Sequence, residues 1–259
     1  MRFQKGNIMK RIFALALFCC LLVSWITACA APTELPTPTS VPPTPTPEPV
    51  DPVSRLHWFG TSAVLYNGSQ VIYFDPITLS GELPTADIIL ITHAHSDHWS
   101  LNDLKQIVGP NTTLVISPNV ITVYEAAKDD LGILATVLAE GETTEIKGVS
   151  LAAVPAFDRR GHLRENGGVG YIVTVDDTRI YHAGGTASYP EMAQRECDIA
   201  ILPMYTTDDL MVMMDLIPAR VFVVGHTSYY TVQAVAKLAA DDLAEDQIVA
   251  DLKPGEFVP

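Results

Sequence analysis

The sequence is poor in cysteine, with four in 259 residues. Three fall before residue 30 and Cys197 stands alone, which leaves no basis for a disulfide scaffold. No apolar run reaches the roughly 20 residues that span a bilayer; the longest, Ile12 to Ile26, ends at Thr27. Basic residues are scarce, 16 Lys and Arg against 30 Asp and Glu, for a formal net charge of −14. Such an acidic surface repels nucleic-acid backbones, so no nucleic-acid partner is expected. No internal repeat with convincing spacing is present.

The first fifty residues nevertheless carry distinct signals. Arg2, Lys5, Lys10 and Arg11 precede the short apolar run, the layout of a secretion signal. Ile26-Thr27-Ala28-Cys29 resembles a bacterial lipobox, which implies cleavage after Ala28, a lipid on Cys29, and attachment to a lipid bilayer outside the cytoplasm. Residues 1–28 are then expected to be a signal peptide, and their loss takes the net charge to about −18. Residues 29–52, dominated by Pro and Thr, suit an extended tether because such composition cannot pack a core. Cys197, leading into Ile199-Ala200-Ile201-Leu202, reads as a core residue.

Residues 53–259 are enough for one sizeable domain. Leu56–Phe59, Ser62–Tyr66 and Gln70–Phe74 read as strands, the last two joined at Asn67-Gly68, a hairpin-turn signal. The continuous apolar run from Ala86 to Thr92 predicts a buried strand. Ser100 followed by Asp103 can cap a helix. Strands at Thr113–Ser117, Leu134–Leu138 and Val149–Pro155 and a helix over Asn119–Asp129 follow. Gly170–Val175 and Thr178–His182 predict a hairpin around Asp176-Asp177; short strands at Ile199–Leu202 and Val221–Val224 and a helix over Thr231–Ala240 complete the pattern. Strands with helices intervening in both halves predict a layered α/β fold.

The chemistry is concentrated in Thr92-His93-Ala94-His95-Ser96-Asp97-His98. His93 and His95 share a face in extended chain, and the turn from Ser96 can bring Asp97 and His98 to the same space. Imidazoles with one carboxylate suit borderline-soft divalent ions, zinc above all.

This H-x-H-x-D-H pattern resembles the metallo-β-lactamase fold superfamily, and the likeness extends from about Leu56 to Tyr230. It is similar to the metal-dependent hydrolase branch that includes sugar-phosphate lactonases. The resemblance implies a four-layer αββα sandwich in a single domain. It further implies that His93, His95 and His162 hold a first metal and Asp97, His98 and His226 a second, one or two zinc ions, with manganese or iron as alternatives. Activity would then be hydrolysis of an ester, lactone or phosphoester bond in a small-molecule substrate, with Asp97 orienting the nucleophile and accepting its proton.

One position departs from the pattern: where the superfamily reads Gly-Asp-Thr, this chain has Gly184-Gly185-Thr186. The missing carboxylate is expected to weaken the hold on a metal pair and to put activity in doubt, with Asp158 as a substitute ligand. The alternative function is a catalytically degenerate, lipid-anchored protein that binds a metal or small ligand. His182 is assigned a supporting role, His57 a packing or surface role, and Tyr205, Tyr229 and Tyr230 an ordinary packing role or a place at the pocket mouth.

Overall fold

A computed structural model describes residues 51–259 except 159–160, 241, 256 and 258–259. The chain opens with two antiparallel pairings, β1 (Leu56–Gly60) with β2 (Ala63–Asn67) and β2 with β3 (Val71–Phe74). It then turns parallel through β4 (Ile88–Ile91), β5 (Thr113–Ile116) and β6 (Ala135–Val137), giving a six-stranded sheet in chain order. A second sheet has seven strands in the order β13-β12-β11-β10-β9-β8-β7. Its members are β7 (Thr143–Ile146), β8 (Val149–Pro155), β9 (Val169–Val175), β10 (Thr178–His182), β11 (Ile199–Pro203), β12 (Val221–Gly225) and β13 (Ile248–Val249).

The apolar strands of the first sheet are continuous because both their faces are buried. Alternation sends Ile72, Phe74, Ile88 and Leu90 into a core shared with the second sheet. The intervening Tyr73, Ile89 and Ile91 enter a second core under α1 (Leu101–Ile107) and α2 (Ile121–Leu131). The opposite flank is covered by α3 (Thr207–Leu216) and α4 (Tyr229–Ala239), whose Leu210, Met213, Val232 and Val235 join the shared core. The result is the expected α/β sandwich, two mixed sheets flanked by four helices.

Local signals explain most boundaries. Ser100 caps α1 by accepting from the Asp103 amide, a bond worth about 1 kcal/mol. Asp176 and Asp177 both take positive φ, 49° and 58°, in the turn between β9 and β10. The β2–β3 turn differs from expectation: Asn67 pairs with Val71 inside the ladder, and neither Asn67 nor Gly68 is among the positive-φ residues. The loop is held instead by Asp176, which accepts from the Ser69 amide at 2.9 Å and pairs with Arg55. The elements β7, β13 and α3 were not expected. For α3 a signal exists, since Thr206-Thr207-Asp208-Asp209 is a Thr-x-x-Asp start and Thr206 caps through the Asp209 amide at 3.2 Å.

Membrane attachment, by contrast, is corrected. Among the described residues no helix is long and apolar enough to cross a membrane. Their free cysteine, Cys197, is buried as expected, and burial pushes its thiol up to about 12. The expected signal peptide, the lipid on Cys29 and nearly all of the tether fall on residues outside those described. A lipid-bilayer partner and an envelope location are therefore withdrawn.

Candidate metal centre

Functional side chains gather where parallel strands end, the position at which open α/β sheets bind ligands. Asp75 follows β3; the run from Thr92 to His98 follows β4; Gly185 follows β10; Tyr205 follows β11; His226 follows β12. The loop after β8 contributes Asp158 and His162.

Two groups of coordinating atoms result. His93, His95 and His162 form one and Asp97, His98 and His226 the other, with the ligand atoms of each within 4.8 Å of one another. These are the six residues named from the sequence, in the division expected. In the first group the Nε2 atoms of His93 and His162 stand 3.1 Å apart; in the second those of His98 and His226 stand 2.7 Å apart.

The far side of each ring shows what these nitrogens offer. His162 directs Nδ1 to the Asp158 carboxylate at 2.9 Å, and His98 directs Nδ1 to Asp75 at 2.6 Å. A carboxylate can only accept, so both Nδ1 atoms carry a proton, and in the neutral ring the lone pair is then on Nε2. The Thr92 hydroxyl donates to Asp75 at 2.7 Å and so accepts from His93 Nδ1 at 2.9 Å. Where two such Nε2 lone pairs converge, as in the neutral forms of His93 and His162, no proton is shared between them and a cation resolves the repulsion. The donor set therefore fits divalent metal ions.

Electrostatics favour the neutral form at three of the rings, His93, His95 and His226. Burial and the neighbouring His98 hold His93 down at about 2 and His226 at about 4. Burial and His162 lower His95 as well. Burial alone would raise Asp75, but His98, His182 and His93 outweigh it and hold the carboxyl below its usual range.

Asp75 is the participant that sequence reasoning missed. It is fully buried, accepts from the Thr92 amide at 2.8 Å, and orients His98. A signal was present in Asp75-Pro76, the pair that directly follows β3. His226 and Asp75 both adopt positive φ, 55° and 44°, a conformation rare for side-chain-bearing residues and concentrated at functional sites.

Asp158 supports His162 through its ring and its amide, the latter at 3.2 Å, and is absent from both groups of converging ligand atoms. His182 is buried in the supporting layer, stacked on Phe74 with centroids 5.3 Å apart. His57 lies away from the centre, bonded to the Gly255 carbonyl at 3.0 Å. Tyr205 lies against His162 and His226, one imidazole from each group. Burial and nearby carboxylates raise its phenol above the ordinary value. Tyr230 is exposed, and the Tyr229 side chain is outside those described.

The doubt attached to Gly185 is corrected. The second group retains a carboxylate, Asp97, so the centre is not left without an anionic ligand. Gly185 has a packing reason: a Cβ there would come within 2.5 Å of the His162 ring and 2.9 Å of His93. In this geometry the absent side chain makes room for the first group.

Comparison with known proteins agrees with the fold and the centre. A model of the beta-lactamase superfamily domain matches residues 55–223. A UPF0173 metal-dependent hydrolase of Methanosphaerula palustris is 31% identical over 177 residues, covering 62% of this chain and 76% of the relative. The crystal structure of a metal-dependent hydrolase from Parabacteroides distasonis superposes with a TM-score of 0.63 at 25% identity, over 76% of this chain and 93% of that one. A metallo hydrolase from Ignicoccus hospitalis gives 0.62 at 22% identity, over 78% and 96%, a likeness of fold.

Proposed function

Because the chain belongs to the beta-lactamase superfamily domain family, among relatives described as UPF0173 metal-dependent hydrolases, we propose that it cleaves an ester, lactone or phosphoester bond of a small molecule. Metal-activated hydrolysis is the function that the two ligand groups and the family relationship support. The observation that carries it is the convergence of imidazole Nε2 atoms at 3.1 and 2.7 Å, backed by Asp158 and Asp75.

In this reading His93, His95 and His162 hold one ion and Asp97, His98 and His226 the other, with zinc favoured by the imidazole-rich set. When bound, the ions supply Lewis acidity, which acidifies water and stabilises a developing oxyanion. The protein's own groups do the rest. Asp97, with its side chain 46% exposed and Oδ2 3.6 Å from His226 Nε2, is at the accessible side of the centre, where it orients the attacking water and takes its proton. Asp75 and Asp158 hold His98 and His162 in one tautomer and orientation. The ring of Tyr205 limits the approach of solvent beside both groups.

The test is metal analysis of the full chain together with hydrolysis of a panel of lactones, carboxylic esters and phosphodiesters. Up to two ions per chain are expected. Chelation should abolish turnover, zinc or manganese should restore it, and His95→Ala should lose activity that His57→Ala keeps. Turnover that survives complete chelation, or failure to take up metal on reconstitution, would overturn the assignment.

A further inference from the structure

A cleft of about 530 Å³ lies next to the metal centre, within the range that binds small ligands. Three aromatic side chains, Phe157, Tyr189 and Tyr205, line it. Phe157 and Tyr189 stack at 4.9 Å between centroids, and the Tyr189 hydroxyl is tied to the Pro155 carbonyl at 2.7 Å, which fixes that wall. Tyr205 connects the cleft to the chemistry, since its ring also packs against His162 and His226, 5.9 and 5.8 Å away.

Among the described residues that line the cleft, the charges are of one sign. Its described lining includes three acids, Asp158, Glu191 and Asp209, and no Lys or Arg. Asp209 already accepts from the Ser188 amide and hydroxyl at 3.1 and 2.7 Å. Arg164 lies over the Phe157 ring at 5.4 Å but is engaged through two bonds to Glu140. A rigid aromatic wall binds flat apolar groups, and the lining carboxylates repel a second anion.

We propose, resting on the hydrolase reading above, that this cleft receives an uncharged aromatic or compact apolar substituent beside the scissile bond. The substrates are then carboxylic esters or lactones with a neutral substituent, and compounds carrying a phosphate or carboxylate on that side are rejected.

Metal-loaded full chain would be assayed with benzyl acetate and methyl phenylacetate, which put the ring on either side of the ester, against methyl acetate. At least one aromatic ester should be favoured in kcat/KM by tenfold or more, and 4-carboxybenzyl acetate should fall at least tenfold below benzyl acetate. Phe157→Ala, which removes a wall, and Ala187→Phe, which fills the cleft from its lining, should each cut the aromatic-to-methyl ratio about tenfold. Calorimetric binding of 4-phenylbutan-2-one, the uncleavable ketone counterpart of benzyl acetate, should weaken about tenfold in both variants.

Methyl acetate turned over as well as the aromatic esters, or equal ketone affinity in wild type and both variants, would overturn the cleft assignment while leaving hydrolysis intact. A preference for the carboxylated ester would overturn its charge selectivity. Ketone binding that depends on the cleft, in a metal-loaded chain that cleaves none of the lactones, carboxylic esters and phosphodiesters, would uphold the cleft and sink the hydrolase reading.

Discussion

The two ligand groups differ in where their negative charge resides. His93, His95 and His162 contain no carboxylate, and the nearest acid bonded to the group, Asp158, acts from behind His162. Asp97, His98 and His226 include one, and a second, fully buried carboxylate, Asp75, stands behind His98. A divalent cation in the second group therefore meets a direct anionic ligand and a nearby buried anion; one in the first meets neutral nitrogens and a single anion at one remove. The second group is expected to hold its ion more tightly.

Removing a ligand from each side gives the largest contrast. His98→Ala should cost the tighter ion and reduce hydrolysis to background, whereas His162→Ala should leave one tightly held ion, both read by metal analysis after dialysis. Equal losses would break the distinction.

Gly185→Ala comes next. Its Cβ would press on His162 and His93, so the variant should lose the weaker ion and much of its turnover while keeping the tighter one. Undiminished uptake of two ions would show that the first group can yield to a side chain at this position.

The smallest effects separate the supporting acids. Asp75→Asn and Asp158→Asn should each weaken metal affinity by about 10- to 100-fold, the first at the tighter site and the second at the weaker, as resolved by competition with a chelating dye. An effect of Asp158→Asn on the tighter ion would mean that the groups are coupled rather than separate.

How much of this could be read from the sequence depended on how local each feature is. The run from His93 to His98 places four coordinating side chains in six positions, so it declared itself without any fold. His162 and His226 stand 69 and 128 residues from their partners, and only a resemblance to a known pattern linked them to the loop. Asp75 stands 23 residues before His98, and nothing in that spacing marks it as the support of the ring. Its role depends on the register of β3 against β4, where Phe74 lies opposite Leu90 and the Asp75 amide donates to the Leu90 carbonyl. Gly185 was misread for the complementary reason: sequence exposes a missing carboxylate but not the imidazole that occupies the space. The short strand β7, exposed and half-buried in alternation, carries no apolar pattern to betray it.

The wide spacing of those histidine partners also makes the centre a pair of stitches. One joins the loop after β4 to the loop after β8, the other joins it to the end of β12 in the opposite sheet. Covalent closure of loops this long restrains an unfolded chain by about 4–5 kcal/mol each. Ions shared across the same gaps act as reversible seams between the halves of the sandwich, so a cell's supply of metal would set how long the folded chain lasts as well as how fast it works.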